Sequence, residues 1–146
     1  LRPDPNNTTM DPGNASIPLT VSSYNHINNS IYIHSSRGYT PLGRIKPDIA
    51  APGVDVQGPA TGAAIESQLR FTRRSGSSIA AAIAAGAVAD IFTWSYIQNN
   101  DQGLSNTALT SMLIRGADRN PAFTYPNPIW GYGTLNLYQT FRRDQQ

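Results

Sequence analysis

The sequence predicts an α/β fold, and two observations carry that expectation. Residues 19–24 (LTVSSY) and 30–34 (SIYIH) are short β-prone runs, separated by a turn-rich stretch at 25–29. Residues 79–96 then form an almost unbroken run of Ala, Ile, Val, Phe and Trp. That run is too long for a strand, and its Ala content favours helix.

Taken in order, residues 1–18 are rich in Pro, Asn, Thr and Gly and read as an extended loop. Residues 19–75 read as strands and loops. Ile45, Ile49 and Val54 are the expected inward anchors of a Gly- and Pro-rich stretch, 54–56 is a short strand, and 63–72 is a strand or hairpin. The central helix, 78–96, is apolar nearly all round, which predicts burial on most of its sides. It contains Asp90 and is short and Ala-rich for a bilayer, so a core helix is expected rather than a membrane span. Residues 105–146 read as C-terminal helices and a loop. Ser105 is placed to cap a helix running to Arg115, with Gly116 to end it. Residues 120–133 form a Pro- and aromatic-rich loop, and Leu135, Tyr138 and Phe141 are spaced as on a short terminal helix.

The 146 residues suit one domain or part of a larger one. Charged residues make up 14% of the chain, beside 12 Gly and 11 Pro, which points to a folded, loop-rich protein rather than a disordered one. Net charge is +2, and the clusters Arg70, Arg73, Arg74 and Arg142, Arg143 are too small for a nucleic-acid groove. The absence of cysteine excludes disulfides, thiolate metal sites and a cysteine nucleophile. No spacing of His, Asp or Glu suggests a catalytic metal. A start at Leu1 rather than Met leads us to expect a segment of something longer.

The chemically informative stretch is SGSSIAAA, residues 75–82. A small turn delivers a serine to the first turn of the long helix. There the unpaired N–H groups and the positive end of the dipole face any oxygen that develops negative charge. The plain alternative is that Ser77 or Ser78 caps the helix, the commonest role of serine at such a place. The local pattern alone favours the cap.

Four segments together resemble the subtilase family. Residues 35–53 (SSRGYTPLGRIKPDIAAPG) are similar to the family's Ser-Ser-Arg-Gly, Lys-Pro-Asp-Ile and Ala-Pro-Gly runs. Residues 75–80 resemble its Ser-Gly-Thr-Ser-Met-Ala segment, Ala85-Gly86 its helix pair, and 130–136 its closing Gly-x-Gly segment. IRGADRNP and YPNPIWGYGTLNLY look most like the clostridial spore-germination branch. The resemblance implies the C-terminal part of a three-layer α/β catalytic domain, with a mostly parallel sheet and a long buried helix after the nucleophile. It makes Ser78 the nucleophile of a serine endopeptidase and the Ser78 N–H an oxyanion-hole donor. It further implies substrate contacts from Arg74, Ser75, Gly76, Ser77 and Ile79, and from His34 on the leaving-group side. The loop at 8–13 resembles the one near the floor of the specificity pocket, and Asp48 becomes structural, paired with Lys46 and backbone amides.

Ser77 stands for the family's Thr, Ile79 for Met, and Ala82-Ile83 for Pro-His; none of these removes a catalytic group. The family's triad runs Asp, His, Ser, with both partners and the oxyanion Asn upstream of the matching segment. His26 and His34 are the only histidines, and neither sits in a family His motif. The expectation is therefore a chain inactive alone, completed by the missing N-terminal part of the same catalytic domain. Its unpaired apolar edge is expected to favour self-association. A peptide or protein is the expected substrate, with no nucleic acid or membrane partner. No cofactor is needed for catalysis, a structural calcium in the parent is compatible with the family, and the setting is bacterial, secreted or spore-associated. The alternative is a pseudoprotease that keeps the fold as a regulatory binding module.

Overall fold

The structure, a computed structural model, describes residues 4–62 and 70–144. Five strands are present among them: β1 (Val21–Asn25), β2 (Ser30–Ile31), β3 (Ile49–Pro52), β4 (Val56–Pro59) and β5 (Phe71–Arg74). Helix α1 (Ser77–Phe92) runs on into a π-helical turn, Thr93–Ile97, and is followed by α2 (Asn106–Gly116) and α3 (Leu137–Asp144).

Strand β1 lies between β2, antiparallel, and β3, parallel, with Val21 opposite Ile49 and Tyr24 opposite Pro52. The C-terminal segment extends the sheet beyond β3: Ala50 N–H donates to the Gly133 carbonyl at 2.9 Å, and Leu135 N–H donates to the Ala50 carbonyl at 2.8 Å. β4 and β5 form a separate antiparallel pair. The expected mostly parallel sheet is thus met among the described residues: β1 with β3 and β3 with the segment at Thr134 are parallel, β2 forms an antiparallel edge, and a hairpin lies beside them. A parallel pair needs a crossover, and β1 and β3 have the intervening chain to provide one, whereas β1 and β2 are joined by a tight turn. Residues 63–69 of the expected 63–72 strand or hairpin lie outside the described residues; 71 and 72 fall in β5, whose partner is β4.

The core gathers Ile49 from β3, Ile91 from α1, Leu104, and Leu109, Met112 and Leu113 from α2, with Val21, Trp94 and Phe141 packed against it. Of the expected anchors, Ile49 is fully buried, while Ile45 and Val54 are half-buried. Ser105 caps α2, its hydroxyl accepting the Ala108 N–H at 3.1 Å. The second run, 30–34, gives only a two-residue strand, because the chain turns after Tyr32, whose carbonyl accepts the Ser35 N–H at 2.9 Å.

Helix α1 departs most from expectation. It buries a single stripe, Ala80, Ala84, Ala87 and Ile91, against β1 and β3. Ala81, Ala82, Ala85, Gly86, Ala89 and Phe92 are exposed. Residues 77–97 are long and apolar enough, by length and composition, to cross a membrane, yet the packed stripe is that of a helix lying on a sheet. Burial on most sides is therefore not met within the described residues. These residues supply only one layer against an apolar-all-round helix, so its other face has no cover.

Candidate active site

Only Ser75 and Gly76 link the end of β5 to the first residue of α1. The link is held by the loop after β3. Gly76 N–H donates to the Gly53 carbonyl at 2.7 Å, and the Ser75 hydroxyl accepts the Asp55 N–H at 2.9 Å. This approach requires glycine at 53. A Cβ there would collide with Ser23 Oγ, and would lie 2.8 Å from the Gly76 carbonyl oxygen and 3.2 Å from Ala80 Cβ.

Gly76 occupies the N-cap position of α1, and no side chain caps the helix. Ser77 and Ser78 are therefore its first two residues. The first amides to find intrahelical partners are those of Ile79 and Ala80, both donating to the Gly76 carbonyl, at 3.0 and 3.4 Å. The Ser78 N–H is one of the orphan donors of the helix start. Its hydroxyl is exposed and makes no hydrogen bond among the described residues. The capping role that local pattern favours is thus absent. A free hydroxyl and a free amide of one residue sit instead at the positive end of a helix dipole, where an oxyanion is stabilised. Ala81 and Ala82, both exposed, leave room beside them.

The neighbouring residues divide by what they touch. Ser77 is exposed and lines a cavity of about 180 Å³ with Thr9, Met10, Gly13, Thr20 and Ser35, so the loop at 8–13 meets the helix start. Arg74 ends β5 with its side chain exposed, paired across the hairpin with Val56. Ile79 is half-buried. Ser75 has its hydroxyl engaged by Asp55 and serves the loop itself. His34 is exposed, its ring edge-on to Tyr32 at 5.2 Å, and His26 is exposed in the turn after β1. Neither histidine hydrogen-bonds Ser78, so the described residues bring no general base to the hydroxyl.

Asp48 is occupied elsewhere. Its Oδ2 accepts Lys46 Nζ at 2.7 Å and the Thr20 N–H at 2.6 Å, and Lys46 Nζ also donates to the Pro18 carbonyl at 2.7 Å. Both residues are buried, and the pair ties the approach to β3 to the start of β1. Among the described residues no group of three or more His, Asp or Glu side chains is placed to hold a metal ion. The residues that sequence reasoning missed are Gly53 and Ser23. The Ala-Pro-Gly triplet marked the first, but nothing in it announced that the helix start rests on it.

The profile of the subtilase family, peptidase S8, matches residues 3–133. The chain belongs to the subtilase family. Among solved structures this subtilase chain is similar to the CspB protease of Clostridium perfringens, at 35% identity and a TM-score of 0.87, over 97% of this chain and 30% of that one. It is also similar to the prenylagaramide maturation protease PagA, at 22% identity and a TM-score of 0.70, over 95% of this chain and 46% of that one. The epidermin leader peptide processing serine protease EpiP from Staphylococcus aureus gives 20% identity and 0.66, over 93% and 33%. At their lower identity, the last two bear on the fold alone. The subtilase chain spans less than half the length of each of these three proteins. No curated protein matches it.

Proposed function

We propose that this subtilase chain carries the nucleophile of a serine endopeptidase. Ser78 Oγ attacks the peptide carbonyl and the Ser78 N–H receives the resulting oxyanion. The C–N bond then breaks, the amine leaves with the proton taken from Ser78, and water releases the acyl group. The observation that carries this reading is the exposed, uncapped hydroxyl of Ser78 beside its own unpaired amide. Arg74, Ser75, Gly76, Ser77, Ile79 and His34 are the proposed substrate contacts, with the cavity beside Ser77 receiving a substrate side chain. No cofactor takes part in the chemistry, and any calcium is structural.

The base and its carboxylate partner come from the preceding part of the same catalytic domain. Two observations support this: neither histidine of the chain reaches Ser78, and the face of α1 bearing Ala81, Ala85 and Ala89 is apolar and exposed. Residues 1–146 alone are accordingly inactive and prone to self-association. The proposed setting is bacterial, secreted or spore-associated; the similarity to a protease of Clostridium perfringens supports its bacterial part. Ser78→Ala in the complete polypeptide abolishes hydrolysis of a peptide substrate; unchanged cleavage would refute the assignment.

A pseudoprotease is the second reading, favoured by the lack of a histidine partner for Ser78 among the described residues. The same polypeptide with Ser78 intact separates the two, since a pseudoprotease leaves every peptide offered uncut.

A further inference from the structure

On the sheet face away from α1 lies a cleft that the proposed chemistry does not use. Ser23 Oγ sits beside Gly53 and Ala80, so Ser23 faces α1. Alternation along β1 sends Tyr24 to the opposite face. There its ring meets Trp130 edge-on, with centroids 5.6 Å apart and planes at 62°. Phe123 lies over the same indole at 6.3 Å and 23°. The three rings form a corner that Tyr125 closes, and the cleft holds about 330 Å³.

One carboxylate, Asp118, opens into this aromatic corner. Its Oδ2 accepts the Asn136 side-chain amide at 2.7 Å, while Oδ1 takes no hydrogen bond among the described residues. Its field reaches the rings: the Tyr24 phenol is pushed above its ordinary value of 10.0, first by burial and then by the Asp118 charge. Arg119, also on the lining, keeps its positive charge, but its guanidinium is held by backbone carbonyls, Nε donating to that of Tyr132 at 2.8 Å and Nη2 to that of Ile114 at 2.9 Å. The cleft thus sets aromatic surface, most openly that of Phe123, which is 49% exposed, beside a carboxylate oxygen without a partner among those residues, the combination that attracts a weakly hydrated cation.

We propose that the cleft between Tyr24, Phe123 and Trp130 binds an alkylammonium group, with Asp118 as its counter-ion. The site is independent of hydrolysis, so it is tested in the complete polypeptide carrying Ser78→Ala. The probe is tetramethylammonium, followed through the indole N–H resonance of Trp130, with tert-butanol as its uncharged counterpart. Saturable movement of that resonance by the cation and not by the alcohol is expected. Asp118→Asn keeps an acceptor for Asn136, and Phe123, 49% exposed, is replaceable by Leu without opening the core. Each variant is expected to weaken binding by about threefold to thirtyfold. No movement, equal movement with the alcohol, or unchanged affinity in both variants would overturn the proposal.

Discussion

The Gly76 amide donates to the Gly53 carbonyl at 2.7 Å, and through this bond the end of β3 sets where helix α1 begins. The two glycines have different reasons to be glycine. At 53 a Cβ would collide with Ser23 Oγ and the Gly76 carbonyl; at 76 it would meet only the Ser78 amide nitrogen, at an unstrained 3.9 Å.

Gly53→Ala therefore moves the helix start. In the complete polypeptide we expect kcat to fall about a hundredfold, as for a reacting group displaced by about an ångström, with a lowered Tm. Steady-state kinetics beside thermal unfolding reads both; wild-type values for the two would contradict the contact.

Gly76→Ala separates folding from function. Its Cβ is tolerated by the described residues but stands beside the proposed oxyanion donor. Tm is expected to stay at the wild-type value while kcat/KM falls. A fall in Tm without a kinetic defect would assign Gly76 to the fold instead.

Lys46→Met leaves the Asp48 carboxylate buried without its cation, although the Thr20 amide remains. Breaking one partner of a buried pair costs about 3–5 kcal/mol. Urea unfolding measures the loss, and a change below about 1 kcal/mol would place the pair among exposed, weak ones.

Tyr24 links the sheet to pH. Its folded pKa is raised above 10.0 by burial and by Asp118. The folded state thus holds the phenolic proton more tightly than the unfolded chain does. The associated stability is fully present below the unfolded value of 10.0 and is lost as pH rises through the folded one. Tyr24→Phe should flatten that alkaline decline in urea unfolding followed against pH. Asp118→Asn should bring the Tyr24 phenolate absorbance to lower pH, and an unmoved titration would remove Asp118 as a cause.

Much of this was legible in the sequence, for reasons that differ between elements. Ser105 announced α2 because a hydroxyl before an apolar-periodic run satisfies an orphan amide. The Lys-Pro-Asp-Ile run correctly marked Asp48 as structural. The one-sided burial of α1 was not legible, since an apolar-all-round helix carries no sign of which partner covers which face. Nor was the strand at 49–52, a short Ala- and Pro-containing run whose pairing is fixed by β1 and the Gly133 segment rather than by its own propensity. The cleft at Trp130 draws residues from β1 and from the loop after α2, and no local pattern joins them.

Above all, the side chain of Ser78 at the start of α1 should behave as a working nucleophile. A fluorophosphonate forms a stable adduct only with an activated serine, and peptide mapping by mass spectrometry locates it. In the complete polypeptide we expect the adduct on Ser78, and none after Ser78→Ala. Peptide hydrolysis with the adduct on another serine, or with Ser78 unmodified, would contradict the account.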